Sequence, residues 1–235
     1  KMTPYNREIF ANPHASGHAL GWQASSDIDE AASSIAGLIG CDQNEITFTS
    51  GATEANNLAL IGHSKFHSAG NRRRLLVGAI EHKSVLDAVY YLQKSIGFSV
   101  EEVPVDRFGF TDLEALRDLM ADDVLMVSVG AVNGEIGTIQ PIEAISDIAH
   151  EFGAIFHCDA VQAPLADAVQ NISEFADIVC LSSHKIYGPK GVGALFIRRE
   201  IREQIEPMIH GGGQQDGLRS GTLPTPLCVG FGYAM

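Results

Sequence analysis

Short apolar runs recur along the chain and are separated by stretches of mixed polarity. Most of these runs are apolar throughout rather than alternating, which is typical of parallel strands that are buried on both faces. The strands predicted from them are residues 46–50, 74–80, 98–105, 124–132, 154–161, 177–183 and 192–198. Strands that alternate with helices predict an α/β fold, a three-layer sandwich with a mainly parallel sheet.

Amphipathic stretches between these runs predict the helices. One helix begins near residue 52, and three others cover residues 84–94, 111–120 and 141–152. In the helix at residues 111–120, Leu113, Leu116 and Met120 share one face, and Thr111 is the predicted N-cap. A further helical pattern begins close to the end of the chain, so we expect the sequence to be a fragment of a longer protein.

Composition and charge narrow the classes of function. The 235 residues are 45% hydrophobic and 19% charged, as in globular proteins, and the net charge is −13. Such an acidic chain is not expected to bind nucleic acid or an anionic membrane surface. The basic run at residues 72–74 is interpreted as a solvated loop. No apolar run is long enough to span a membrane, and no signal peptide is evident.

The four cysteines show no disulfide or metal-binding spacing, so we expect free thiols in a reducing, cytoplasmic compartment. Cys158 and Cys180 fall within predicted buried strands, Cys41 lies at a helix end and Cys228 near the chain end. None lies in a flexible small-residue loop, and none is expected to be a nucleophile. No metal site is predicted either.

Polar residues follow the predicted strands, where a parallel sheet places its ligands. The turn Gly51–Thr53 leads into a helix and can hold a phosphate with free N–H groups and the Thr53 hydroxyl. Alternatively, Ser50 or Thr53 caps that helix. Asp159 ends one strand, and Lys185 follows another; a charge at a buried strand end needs a partner.

One ligand satisfies this set of side chains. Thr53, Ser182 and His184 can take its phosphate, Asp159 can pair with a protonated pyridine nitrogen, and Lys185 can form an imine with an aldehyde. These properties describe pyridoxal 5′-phosphate.

Three further residues suit the same ligand. His82 can stack on the ring, and Asn133 and Gln162 can hydrogen-bond to its phenolic oxygen. Each has a structural alternative, since a lone histidine is often structural and an Asn–Gly pair often forms a turn. A nicotinamide-binding fold is disfavoured, because no GxGxxG follows a first strand.

Several segments resemble the cysteine desulfurases, which are fold type I pyridoxal-phosphate enzymes of the class V aminotransferase family. The segments are TSGATEANNLAL, EHKSV, VNGEIG, HCDAVQ, SSHKIYGPKGVGAL and GGGQQDGLRSGTLP. The stretch ANPHASGHALGWQA resembles the housekeeping branch, which supplies sulfur for iron–sulfur cluster assembly. Gly134 departs from the pattern, since the family usually has a second asparagine there.

The resemblance implies a role for each matching residue. Lys185 and His82 are the catalytic pair, with Lys185 as the Schiff-base lysine and the proton carrier at the substrate Cα. Thr222 is expected to reach the phosphate from the second subunit of a homodimer. The implied cofactor contacts are Ala52, Thr53, His82, Asn133, Asp159, Gln162, Ser182, His184, Lys185 and Thr222.

The resemblance also implies the domain organisation. Residues 1–20 correspond to a truncated N-terminal segment and residues 21–235 to the large cofactor-binding domain. The C-terminal small domain, which carries the nucleophilic cysteine, is expected to be absent from this sequence.

The expected function of the parent protein is conversion of L-cysteine to L-alanine, leaving an enzyme persulfide for a sulfur acceptor or iron–sulfur scaffold. The alternatives are a selenocysteine lyase, another pyridoxal-phosphate β-lyase, or a non-catalytic truncated module.

Overall fold

A single seven-stranded sheet forms the centre of the computed structural model, which describes residues 1–235. The strands are β1 (Ile46–Thr49), β2 (Arg74–Gly78), β3 (Ser99–Val103), β4 (Val124–Ser128), β5 (Ile155–Asp159), β6 (Ile178–Ser182) and β7 (Gly193–Ile197). Their spatial order is β1-β7-β6-β5-β4-β2-β3. All run parallel except β7, which is antiparallel to both β1 and β6. The predicted α/β class with a mainly parallel sheet is confirmed.

Helices cover both faces of this sheet. They are α1 (Ala19–Ile39), α2 (Ala52–Asn57), α3 (His63–Phe66), α4 (Lys83–Ile96), α5 (Leu113–Leu119), α6 (Ile142–Glu151), α7 (Arg199–Arg202) and α8 (Thr225–Gly232). A π-helical turn, Leu58–Gly62, joins α2 to α3. No helix has both the length and the apolar composition needed to cross a membrane.

The two faces of the sheet belong to different hydrophobic cores. On β2, Leu76 joins the large core that includes residues of α1, α5, α6 and α8, whereas Leu75 and Val77 join a smaller core with α4. Neighbouring residues of a strand point to opposite faces. Both faces are covered, and this explains why the strand sequences are apolar without alternation.

Helix α5 begins differently from the prediction. Its N-cap is Asp112, whose carboxylate accepts hydrogen bonds from the N–H groups of Glu114 and Ala115. Thr111 is buried instead, and both its N–H and its hydroxyl donate to Gln140 Oε1 at 2.9 Å. The prediction of Thr111 as N-cap is therefore wrong, because the polar groups of Thr111 bond to Gln140, which is distant in the sequence.

The basic run at residues 72–74 is not a solvated loop. Arg72 donates to the carbonyl oxygens of Val124 and Phe152 at 2.7 and 3.0 Å. Arg73 and Arg74 likewise bind carbonyl or carboxylate oxygens of neighbouring segments. The arginines at the start of β2 donate hydrogen bonds to oxygen atoms of the adjacent elements, so their role is structural.

A buried carboxylate holds together the amino-terminal edge of the sheet, before β6. Asp177 accepts hydrogen bonds from the Phe156 N–H at 2.8 Å and from Arg198 Nε at 2.9 Å, and it contacts His150 Nε2 at 2.7 Å. Burial alone raises the pKa of Asp177, but its hydrogen bonds with His150 and Phe156 lower it below its ordinary value overall. The same bond to Asp177 raises the pKa of His150, although burial opposes it.

This pairing predicts a pH-dependent contribution to stability. Because the pKa of His150 is raised in the folded state, the stabilisation is fully present below the unfolded pKa, about 6.5, and is lost as pH rises through the folded pKa. We expect His150→Asn to lower the free energy of unfolding more at pH 5.5 than at pH 9. The effect is below about 1 kcal/mol, because the imidazole is partly exposed.

Urea unfolding at the two pH values measures this difference. His210→Asn is the matched control, since His210 is exposed, and it should show no such pH dependence. An equal loss for His150→Asn at both pH values would contradict the role given to the charge of His150.

Candidate active site

A cavity of about 570 Å³ opens at the carboxyl ends of the parallel strands. The loops after β1, β2, β4, β5 and β6 contribute to its walls, together with the loop that enters β7. The predicted site residues that line it are Ala52, Thr53, His82, Asn133, Asp159, Gln162, His184 and Lys185. The sheet therefore collects residues that are far apart in the sequence.

Two predicted site residues lie outside this lining. Ser182 is buried at the end of β6, and its Oγ lies 3.0 Å from His184 Nδ1, so it contacts a lining residue. Thr222 is exposed on the surface and does not border the cavity of its own chain. Its predicted contact with a second subunit stays a prediction.

The turn before α2 is held by an ion pair. Gly51 is the N-cap with φ of 150°, and no side chain caps the helix, so the alternative of a Ser50 or Thr53 cap is wrong. Glu54 accepts a hydrogen bond from the Ser50 N–H at 2.8 Å and pairs with Arg219 Nε at 2.7 Å. Arg219 belongs to the RSGTLP segment, so this contact ties two distant motifs together.

Asp159 ends β5 and reaches the cavity from a partly buried position. Its Oδ1 accepts from the Val161 N–H at 3.1 Å, and its Oδ2 accepts from Asn56 Nδ2 at 2.7 Å. Burial raises the pKa of Asp159, and the hydrogen bond from Asn56 is the main opposing influence. A cationic N–H group in the cavity is the chemistry that this carboxylate suits.

Glu81 is a cavity residue whose importance the sequence analysis missed. Its Oε1 accepts from the Gly130 N–H at 2.9 Å. Burial raises the pKa of Glu81 to about 8, with a smaller contribution from the charge of Asp159. The available signal was the same as for Asp159, namely a carboxylate at the end of an apolar strand.

His82 both lines the cavity and caps α4. Its Nδ1 accepts a hydrogen bond from the Ser84 N–H at 3.1 Å and lies 2.8 Å from Ser84 Oγ. The cap fixes Nδ1 as an acceptor, so a neutral His82 carries its proton on Nε2. His82 therefore has the structural role given as the alternative and also borders the cavity, and its stacking on a ring stays a prediction.

Hydrogen bonds hold the side-chain amide of Asn133, and the side-chain amide of Gln162 lies close to Gly134. Asn133 Oδ1 accepts from the N–H groups of Glu135 and Ile136, and its Nδ2 donates to the Ile80 carbonyl oxygen. The turn suggested for Asn133 is present, and one N–H of its amide is left for a ligand. A Cβ at Gly134 would lie 3.1 Å from Gln162 Nε2, so glycine at this position avoids crowding that amide.

Lys185 lies in a 3-10 turn, Ser183–Ile186, that follows β6. Tyr187 ends this turn in the left-handed region at φ of 65°, where a non-glycine residue is strained. A Cβ at Gly188 would lie 2.2 Å from Ser183 Oγ, so only glycine fits after it. The turn directs the chain away from the sheet and leaves Lys185 exposed on the cavity wall.

Known proteins match this chain along its whole length. The sequence model of the aminotransferase class-V family matches residues 1–235. Proteins named cysteine desulfurase IscS from Rickettsia felis and Rickettsia typhi are 46% and 47% identical over 235 residues, which cover 99% of this chain and 56% of each relative. The chain therefore spans about half the length of the curated relatives it matches.

Solved structures of similar proteins also superpose on nearly the whole chain. A structure titled NifS-like protein superposes with a TM-score of 0.94 at 39% identity, covering 99% of this chain and 63% of that chain. A structure titled SspA in complex with cysteine superposes with a TM-score of 0.93 at 39% identity, covering 99% and 66%.

None of the four thiols is placed as a nucleophile. Cys158, Cys180 and Cys228 are buried, and Cys41 is partly buried. Burial raises the pKa of Cys41 and of Cys228 to about 12 and raises the pKa of the other two well above the ordinary value. A thiol must ionise to attack, so burial and a raised pKa both disfavour these cysteines as nucleophiles.

A serine, a histidine and a cysteine also lie in a row inside the sheet. His157 Nδ1 is 2.8 Å from Ser128 Oγ, and its Nε2 is 3.4 Å from Cys180 Sγ. Complete burial lowers the pKa of His157 to about 3. A neutral histidine with a protonated thiol, away from the cavity lining, satisfies buried hydrogen bonds and does not activate Cys180.

The buried thiols predict slow alkylation. In the folded chain at pH 7.5, each cysteine should react with iodoacetamide at least about 100-fold more slowly than N-acetylcysteine, because little thiolate is present or accessible. Mass spectrometry of tryptic peptides measures each rate. Unfolding in urea is the control and should make all four cysteines reactive, whereas a cysteine that reacts rapidly without urea would contradict this assignment.

Proposed function

The chain belongs to the aminotransferase class-V family, and on this premise we propose that it is the cofactor-binding part of a pyridoxal-phosphate-dependent cysteine desulfurase. The observation that carries the proposal is that Lys185, Asp159 and His82 border one cavity at the carboxyl ends of the strands. The relatives named cysteine desulfurase support the choice within the family. The reaction proposed for the whole protein converts L-cysteine to L-alanine and leaves the sulfur as an enzyme persulfide for iron–sulfur cluster assembly.

The residues present suit pyridoxal phosphate. A volume of about 570 Å³ lies within the range of small-molecule sites. The partly buried Asp159 carboxylate matches a protonated ring nitrogen, and the Lys185 amine matches an aldehyde. The glycine-containing turn at residues 51–53 and the imidazole of His184 match a phosphate group.

Several residues would hold the phosphate and the phenolic side of the cofactor. Thr53 and the backbone of Ala52 would bind the phosphate from the α2 side. His184 would bind it from the β6 side, and the Ser182 hydroxyl, which contacts His184 Nδ1, would orient that imidazole. Asn133 and Gln162 would donate to the phenolic oxygen. Thr222 of a second subunit would complete the phosphate site, so the proposed protein is a homodimer.

The bound cofactor supplies an electron sink that stabilises negative charge at the substrate Cα. Asp159 would keep a proton on the ring nitrogen, because its carboxylate favours a cation beside it. Lys185, once its amine is free, would take the Cα proton and would supply a proton when alanine is formed. His82 would stack on the ring.

Sulfur transfer requires a nucleophile that these residues do not supply. Because all four thiols are at least partly buried and resist ionisation, we propose that the attacking cysteine belongs to another part of the whole protein. Its persulfide would pass sulfur to an acceptor or scaffold protein in the cytoplasm. The solved SspA complex, which contains cysteine, supports L-cysteine as the substrate.

The first prediction concerns the lysine that binds the cofactor. After incubation with pyridoxal phosphate and reduction with borohydride, the added mass should be found on Lys185, because its amine faces the cavity beside Asp159. Peptide mass spectrometry locates the mass. Lys185→Ala should lose it, whereas Lys190→Ala, which removes the other lysine of the cavity, should keep it. A modification on Lys190 alone would overturn the assignment.

The second prediction concerns the reaction of the whole protein. With L-cysteine and a reductant, it should form alanine and sulfide in equal amounts, whereas a β-lyase would form pyruvate, ammonia and sulfide, so alanine against pyruvate separates the two. Asp159→Asn should lower kcat by about 100-fold or more, because a preorganised charge at the reacting ring is lost. Chromatography of the amino acids and a sulfide assay measure both results. Pyruvate as the main product would favour the β-lyase alternative.

A further inference from the structure

Asn56 is a fully buried residue behind the cavity that no role assigned so far includes. It lies on α2, has no exposed surface, and does not line the cavity. Its Nδ2 lies 2.7 Å from Asp159 Oδ2 and 2.9 Å from Ser84 Oγ. A side-chain amide nitrogen has two hydrogens, and here each has its own acceptor.

The direction of these hydrogen bonds follows from the cap of α4. The backbone N–H of Ser84 donates to His82 Nδ1, so this nitrogen is an acceptor. The Ser84 hydroxyl, 2.8 Å from the same nitrogen, must therefore donate its hydrogen to it. The hydroxyl oxygen is then left to accept from Asn56, and this requires the nitrogen side of the amide to face Ser84.

The same orientation serves Asp159. An ionised carboxylate only accepts hydrogen bonds, so the nitrogen of Asn56, rather than its oxygen, suits Asp159 Oδ2. The oxygen Oδ1 of Asn56 is buried without a hydrogen-bond partner. An unpaired buried acceptor is destabilising, so the amide is not arranged to satisfy all of its own polar atoms. It is arranged to donate.

We propose that Asn56 is a positioning residue for the cofactor: it holds the Asp159 carboxylate charged and aimed at the ring nitrogen, while Ser84, itself fixed by His82, locks the amide in its donating orientation. The inference rests on the proposed function, because it assigns the ring nitrogen as the partner of Asp159. It extends the site to Asn56, which contacts Asp159 but does not line the cavity.

The test compares two cofactors in the full-length protein. Pyridoxal 5′-phosphate has the ring nitrogen, and 1-deazapyridoxal 5′-phosphate has a C–H group in its place. Asn56→Leu removes both donors, keeps a similar size and also removes the unpaired oxygen, so the variant should fold.

The dissociation constant of Asn56→Leu for pyridoxal phosphate should rise about tenfold or more, as for the loss of a hydrogen bond to a charged group. Its dissociation constant for the deaza compound should change less than about twofold.

Ser84 variants test the lock on the amide. Ser84→Ala removes the acceptor and should weaken binding of pyridoxal phosphate more than binding of the deaza compound. Ser84→Thr keeps a hydroxyl and should restore the wild-type ratio. Asn57→Leu is the matched control on the same helix, since Asn57 Nδ2 bonds only to the Thr53 carbonyl oxygen; its ratio should equal that of the wild type. Equal loss of both ligands in Asn56→Leu would mean a merely structural role and would overturn the proposal.

A readout without cofactor separates this proposal from the proposed function. In the cofactor-free protein, carbon-13 NMR of the Asp159 carboxyl group should show a titration midpoint at higher pH in Asn56→Leu than in wild type. The charged or titratable groups that influence Asp159, namely Glu81, His82 and Lys185, are unchanged in this variant. An unchanged midpoint would refute the role of Asn56. Failure of the wild type to bind either ligand, with a shifted midpoint, would refute only the proposed function.

Discussion

The partly buried carboxylate of Asp159 is the constraint around which the site is arranged. A charge at the end of a covered strand is unfavourable unless hydrogen bonds or a cation compensate for it. The chain supplies two donors, the Val161 N–H and Asn56 Nδ2, and leaves the carboxylate at the cavity. In the proposed function, a cationic ring nitrogen would complete the compensation, and the desolvation of this side chain would then be linked to the binding of the cofactor.

The neighbouring Glu81 shows how the protein limits negative charge at this point. Burial raises the pKa of the Glu81 carboxyl group to about 8, which favours its neutral form. Two neighbouring carboxylates that both ionise repel each other. The hydrogen bond from Asn56 favours the charged form of Asp159 instead. At the opposite edge of the sheet, Asp177 is compensated within the chain by Arg198 and His150, and that cluster is structural.

The parallel sheet explains why the site could be assembled from separate motifs. Strand carboxyl ends meet at one edge, so residues that follow β1, β2, β4, β5 and β6 become neighbours although over a hundred positions separate the first from the last. The antiparallel strand β7 enters from that edge and brings Lys190 and Gly191 to the same cavity. The Glu54–Arg219 ion pair connects the turn at residues 51–53 to the loop that leads to Thr222.

The sequence by itself determined the strands, the α/β class and the members of the cavity such as Lys185 and His82, because apolar runs and residues at strand ends are local patterns. It misplaced the N-cap of α5 and the role of Arg72, because Gln140 and the carbonyl oxygens of Val124 and Phe152 are distant in the chain. Only the tertiary structure decided the direction of β7, the contacts of Asn56 and the raised pKa of Glu81. These depend on which groups remain without water once separate segments are packed together, and no local pattern records that.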